Sequence, residues 1–292
     1  MPLFRGRGRL PAPLTNCLLS VASAVIGSLL PAPVAAHAQS QPLTRPTFPQ
    51  PESDKDSPNR VRRHPYYFAL YTGGSAARAS DLHLIQSAFG TDVTYHGVNW
   101  AGKPQTDSPY YGFKIGYHPR NTPHVGFEFE YNHVKIYAKI GESKRVTGTW
   151  QNQPINTVEP ISDRVAEYRI TNGINTLALN VSYRVPLLIG ARYPDGRLQP
   201  YVGAGPQYFV LYSINQVAGL HNRDGYRPDG WGYQLFAGTR YLLAPRFGLF
   251  AEVKYQSGTA HSVIADRGSQ DGGRGETTLA IAHVAAGLFY DF

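Results

Sequence analysis

Seven ionisable side chains sit at alternate positions within otherwise apolar runs: Lys114, Glu128, Glu130, Arg184, Arg240, Glu252 and Lys254. On an extended strand, residues two apart share a face and lie about 6–7 Å apart. Glu128 and Glu130 could therefore work as an acid–base pair or ligate a metal. With lysines and arginines at matching parity nearby, the spacing favours an interior salt-bridge plug instead, since isolated charges would be costly to confine. A second group, His133, Lys135 and Tyr137, would present an imidazole, an ammonium and a phenol from one strand face, a set suited to phosphate head groups. Trp100 and Lys103 are further candidates for that contact. The alternative role for His133, Lys135 and Tyr137 is interfacial anchoring by amphipathic rings and a snorkelling lysine. His118, His124, His261 and His283 are dispersed, with no pair at metalloprotease spacing, and read as ordinary polar residues. The run 268–275, GSQDGGRG, has no helix after it to cradle a phosphate and reads as a flexible surface loop.

What must position these groups is best seen in the last seventeen residues, ETTLAIAHVAAGLFYDF. Phe292, Tyr290, Leu288, Ala286, Val284, Ala282 and Ala280 share one parity, and Asp291, Gly287, Ala285 and His283 the other. Such alternation marks a strand with one apolar face, long enough to cross a bilayer as a tilted membrane strand of about 9–11 residues. A lone strand cannot lie in hydrocarbon, because its backbone amides and carbonyls would be orphaned; it needs neighbours on both sides and a closed barrel.

Eight such runs are present, at 65–75, 109–119, 124–138, 173–185, 198–214, 230–243, 247–258 and 276–292. The links after the second, fourth and sixth are shorter than the others, as in barrels with short periplasmic turns and long extracellular loops. The link 186–197 is the odd one, containing Leu187, Leu188 and Ile189; either it dips toward the membrane interface or a strand end is misjudged. The expected architecture is all-β: an eight-stranded antiparallel up-and-down transmembrane β-barrel over 65–292, its interior polar and plugged. Eight strands leave a lumen that side chains just fill, which disfavours a wide pore.

At the start, Arg5, Arg7 and Arg9 precede an apolar run, and Ala36-His37-Ala38 supplies a small-x-small cleavage site. Residues 1–38 read as a signal peptide, which would carry away Cys17, the only cysteine, and three of the positive charges behind the net +8. That would exclude disulfides, Cys-ligated zinc and a thiol nucleophile. The Pro-rich segment 39–64 reads as a disordered periplasmic tail. The basic excess is too diffuse for nucleic acid.

An amphipathic last strand ending in Phe292 resembles the C-terminal signature of bacterial outer-membrane barrels. That resemblance implies a bacterial outer-membrane location with the termini in the periplasm, and recognition of Phe292 by the barrel assembly machinery. Val98-Asn99-Trp100-Ala101-Gly102-Lys103, Ser108-Pro109-Tyr110-Tyr111-Gly112 and His133-Val134-Lys135-Ile136-Tyr137-Ala138 resemble a small eight-stranded group that includes the rhizobial lipid A oxidase. Over about a quarter of the chain, that similarity implies contact with, or oxidation of, lipid A, with dioxygen and a divalent metal as co-reactants. Its catalytic residues are not transferable to this sequence. The barrel-type lipid A deacylases pair His with Ser two residues on; Tyr255-Gln256-Ser257 lacks that histidine. The leading expectation is a monomeric surface barrel contacting lipopolysaccharide or external ligands, with no cofactor. A lipid A enzyme and a narrow channel are the alternatives.

Overall fold

A computed structural model describes residues 64–103, 109–222 and 225–292. The expected signal peptide, and the Pro-rich tail up to residue 63, lie outside the described residues. The strands are β1 (Tyr66–Ala77), β2 (Ser80–Gln86), β3 (Thr91–Val98), β4 (Trp100–Ala101), β5 (Tyr111–Tyr117), β6 (Val125–Ala138), β7 (Ser143–Trp150), β8 (Gln153–Pro160), β9 (Val165–Arg184), β10 (Leu198–Val217), β11 (Leu220–His221), β12 (Tyr226–Ala244), β13 (Phe247–Asp266) and β14 (Ser269–Asp291).

Eight of them close an antiparallel ring in the order β1-β5-β6-β9-β10-β12-β13-β14, with β14 returning to β1 from Tyr67↔Asp291 to Ala77↔Ile281. Closure leaves no strand edge facing lipid. The outward face of this ring is apolar: Leu70, Ile115, Phe129, Leu179, Val202, Leu235, Val253, Val284 and Leu288 are all exposed. Tyr66, Tyr117, Tyr183 and Tyr290 frame the belt at the short-turn end, and Tyr111, Trp231 and Tyr233 frame the other. Such girdles mark the two interfaces of a membrane barrel. Tyr290, Val253 and Leu235 are exposed on this outer face, while Glu128, Arg240 and Glu252 are buried.

At the long-loop end the ring changes partners. β14 leaves β1 and pairs with β2 from Thr277↔Leu82 to Arg274↔Ile85, and β3, β7 and β8 follow in the same sheet. β9, β10, β12, β13 and β14 thus run through both halves, while the hairpins β2–β3 and β7–β8 complete the far half. The free edge of the sheet is β8. Its turn, Gln151 and Asn152 at φ 51° and 65°, is a two-residue hairpin with both central residues left-handed. That register turns the ladder groups of Pro154, Asn156, Val158 and Pro160 away from β7. Two of the four have no N–H to offer, which blunts the edge against strand addition.

Three sequence expectations need correction. The run 268–275 is not a loop: from Ser269 it is β14, paired with β13 as far as Asp266↔Ser269, and only a tight turn with Gly268 at φ 75° remains. Its glycines read as flexible in sequence, yet Gly275 is where the Tyr168 hydroxyl packs, 2.5 Å from where a Cβ would stand. The fourth ring strand begins at Val165 rather than 173. The register jump from Val134↔Ile174 to Ile136↔Ile170, with Asn172 and Gly173 at positive φ, breaks the alternation at that point. Finally, the inward parity of the last strand is not only small or polar, because Ile281 and Phe289 belong to it and are buried.

Candidate functional site

The lumen of the ring is layered. Near the short-turn end lie Arg184 and Arg240. Arg184 donates to the Pro123 carbonyl at 2.7 Å and to Gln199 Oε1 at 3.0 Å, and faces Asp195 at 3.8 Å. Arg240 pairs with Asp291 and stacks on Phe289 at 3.8 Å and Tyr67 at 4.5 Å. The next layer centres on Lys114, which meets Glu252 at 2.5 Å, Glu128 at 3.7 Å and Glu130 at 4.0 Å. Ser182 donates to Glu128 at 2.8 Å and Tyr201 to Glu252 at 2.9 Å.

Glu130 is the most heavily engaged group. One oxygen accepts from Lys254 and from the Tyr71 hydroxyl at 2.5 Å; the other accepts from Asn180 at 3.1 Å and Gln234 at 2.6 Å. Four donors fill the roughly four lone-pair positions of a carboxylate, so it has nothing left for a substrate or a metal. Glu128 and Glu130 both lie within 4.0 Å of the Lys114 ammonium. The cavity left among these layers, lined by Lys114, His118, Glu128, Arg184 and Arg240, is about 20 Å³, room for a single water.

Aromatic rings close the remaining space by lying across glycines on the neighbouring strand. Tyr67 faces Gly116 and Tyr71 faces Gly112 between β1 and β5; Tyr201 with Gly238, Phe236 with Gly203, Phe289 with Gly248 and Phe250 with Gly287 repeat the pairing. At Gly116 an added Cβ would stand 2.0 Å from the Tyr67 ring, so the ring lies flat only because no side chain is there. These inward aromatics were hidden in sequence behind the outward aromatic rows of the same strands.

Beyond the charges comes a layer of amides and neutral polar groups, Asn132, Thr176, Gln207 and Gln256, with His283 beside Tyr110. Past it the interior turns apolar: Leu82, Leu84, Val93, Val146, Ile161, Ile170, Ile174, Phe209 and Leu211 are fully buried. Burial there pushes the Tyr168 phenol up to about 12 and raises Tyr95 as well. The gap between β8 and β9 is bridged by Arg164, which donates to Glu159 at 2.5 Å and stacks on Trp150 at 4.9 Å. The hydrogen bond that Arg164 donates to Glu159 raises the Arg164 pKa.

The head-group candidates divide. Trp100 is not at a lipid surface: it packs 6.1 Å from Tyr168 in the far core, its indole donating to Ser80 at 2.8 Å. His133 and Lys135 are 3% and 2% exposed, so neither presents itself to head groups. His133 stacks on Tyr111 at 5.1 Å and bonds Asn175 at 3.0 Å, where the β6–β9 bulge crowds that face. Lys103 and Tyr137 do come together, with the ammonium 4.4 Å over the ring and the phenol bonded to Thr171 at 3.1 Å. Phe292 is exposed, 6.1 Å from Tyr66 in the short-turn girdle.

A feature missed in sequence lies on the outer face just beyond the far girdle. His261 stands between Asp229 at 2.9 Å and Glu276 at 3.4 Å, and Arg274 meets Glu276 at 3.1 Å. On the adjoining strands His83 meets Asp92 at 2.7 Å and His96 meets Asp81 at 3.0 Å. The pairs lie within the β2–β3 hairpin and across the adjacent strands β12, β13 and β14, so it is the register of those strands that brings the partners together. Among the described residues, no three His, Cys, Asp or Glu side chains are grouped to hold a metal ion. The divalent metal implied by the oxidase resemblance therefore finds no fitting donor set there.

Several solved structures are similar to this chain, and three illustrate them. They are the surface protein NspA of Neisseria (11% identity, 78% of this chain and 97% of that one, TM-score 0.37), OprG of Pseudomonas aeruginosa (13%, 79% and 97%, 0.44) and the outer membrane protease OmpT of Escherichia coli (10%, 80% and 100%, 0.37). None of the curated proteins is significantly similar in sequence. The model of the outer membrane protein beta-barrel domain matches residues 67–280, well over half of the chain. With a closed eight-strand ring, an apolar belt between aromatic girdles and a charged interior, the chain belongs to the outer membrane protein β-barrel domain family.

Proposed function

We propose that the protein is a non-conducting surface barrel of the bacterial outer membrane whose long-loop half is a rigid platform for lipopolysaccharide or an external ligand. The observation that carries this reading is the stacking of two filled interiors. A buried charge network centred on Lys114 and Glu130 and then an apolar core fill the axis, while five strands run unbroken into the far half. The short turns and the C-terminus then face the periplasm, and Phe292 serves the assembly machinery. The outward row of His83, His96, His261 and their carboxylates lies at the level where lipopolysaccharide phosphates and their cations meet the barrel.

Purified protein in planar bilayers should show no discrete conductance steps; regular steps would refute the closed lumen. Binding of lipopolysaccharide should fall when Asp229, His261 and Glu276 are replaced together, and unchanged binding would remove that row from the proposal. Lipid A modification is the weaker reading, because His133, Lys135 and Trp100, which carry the resemblance to the oxidase group, are buried. Mass spectrometry of lipid A from cells with and without the gene should show no shift. A gain of oxygen would reinstate the enzyme.

A further inference from the structure

The outward apolar row of β9 does not stop at the short-turn girdle. Past Tyr183 it continues through Val185 and Leu187, both exposed, into the link 186–197, where Leu188 and Ile189, at 64% and 65% exposure, lead into the closing turn Gly190–Tyr193. The stem is held as a hairpin: the Leu187 amide donates to the Leu198 carbonyl at 2.8 Å, the Leu198 amide returns a bond at 3.2 Å, and the Arg197 amide caps the Leu188 carbonyl at 3.2 Å. Leu188 itself sits at φ 54°, a conformation disfavoured for leucine. A glycine or asparagine would meet that φ without strain, yet two large apolar side chains stand exposed here, beside the turn. Two guanidinium groups flank them. Arg197 stacks on Tyr241 at 4.9 Å and Tyr193 at 5.4 Å, and Arg192 lies 5.8 Å from Tyr193.

We infer that the 186–197 link is a membrane anchor: Leu187, Leu188 and Ile189 seat in the leaflet at the short-turn end, and Arg192 and Arg197 hold the phosphates of anionic phospholipids there. This rests on the outer-membrane reading above. Lipid is the occupant because this segment extends a belt that already faces lipid, without a polar break. The cations beside it stand on interfacial tyrosines, the arrangement that amphipathic side chains adopt at a head-group layer. Guanidinium groups match phosphate oxygens in a way that a neutral head group does not.

The test places a fluorophore at Ile189→Cys and, separately, at Leu179→Cys in the middle of the belt, each in a Cys17→Ser background. The proteins are reconstituted in phosphatidylethanolamine nanodiscs with or without phosphatidylglycerol, and folding is checked by heat-modifiable migration. Both labels should be quenched by doxyl-bearing lipid and protected from aqueous iodide. Replacing Arg192 and Arg197 by glutamine should reduce lipid quenching at 189 in phosphatidylglycerol discs and leave 179 unchanged. Iodide access at 189 with lipid quenching at 179 overturns the anchor alone. Equal quenching at 189 with and without phosphatidylglycerol, insensitive to the arginines, overturns the phosphate contact. Loss of lipid quenching at both positions overturns the membrane reading itself.

Discussion

The two halves of this molecule solve the same strand geometry with opposite polarity. Around the ring, Leu179, Leu235 and Val253 face outward and Glu130, Glu252 and Lys254 inward; beyond the far girdle, Leu84, Ile170 and Ile264 face inward and His83, Asp92 and His261 outward. β13 crosses from one regime to the other without a break from Phe247 to Asp266. Inward and outward rows keep their parity along it as far as Ile264, so only the residue types change. Where hydrocarbon surrounds the barrel, apolar side chains gain nothing by turning inward, and the interior can hold charges as long as each is paired. Where water surrounds it, burial of apolar area again drives packing, at roughly 25 cal/mol per Å². The depth at which the polarity inverts therefore marks the membrane boundary.

This contrast can be broken at either interior. The largest effect is expected from Glu130→Ala, which strips Lys254, Tyr71, Asn180 and Gln234 of their common acceptor and should cost about 3–5 kcal/mol. Denaturant unfolding in lipid measures it; a loss under about 1 kcal/mol, the scale of an exposed pair, would mean that the network is solvated. Ile170→Ala in the far core should cost about 2–5 kcal/mol through the cavity it leaves. Hydrogen exchange should accelerate in β2, β3 and β7 and remain slow in the belt. Uniform acceleration would show that the two interiors open as one.

The exteriors offer a sharper pair. Leu179→Arg, in the lipid belt, should destabilise by about 2–4 kcal/mol. Val158→Arg, on the blunted edge of β8, should stay within about 0.5 kcal/mol. Equal effects on refolding into lipid would erase the proposed boundary. The smallest effect concerns the β6–β7 link. There the Asn99 amide, and then Lys144 and Lys139, hold the Glu142 carboxyl below its ordinary value. A depressed carboxyl contributes stability above the unfolded pKa, about 4.3, and loses it as pH falls through the lower folded value. Protection factors of amides 139–142, taken relative to the intrinsic exchange rate at each pH, should fall at acid pH in wild type, and Glu142→Gln should flatten that dependence. A link equally protected across that range would remove Glu142 from the account.

Much of the ring was legible because period-two patterning is a local property. The eight ring strands, their outward rows and the inward parity of Lys114, Glu128, Glu130, Arg184, Arg240, Glu252 and Lys254 can all be read two residues at a time. The far half was not legible. The segments 80–98 and 143–160 looked like loops, since β2, β3, β7 and β8 are short, glycine interrupts β3 and β7, and they pack only against one another and the extended ring strands. The sites suffered most from this. Trp100, His133 and Lys135 had the composition of an interfacial cluster, but the bulge in β9 and the far core cover them.

What the sequence determined by itself is which residues share a face and that those faces demand a closed barrel, because alternation and backbone satisfaction require nothing beyond the strand. Only the tertiary structure decided who meets whom across the lumen, that Glu130 is saturated, and that the chain carries a second interior of inverted polarity. Those outcomes depend on register between strands up to about two hundred residues apart, such as Ser80 and Thr277, bonded at 2.9 Å, and no local pattern encodes a register at that distance.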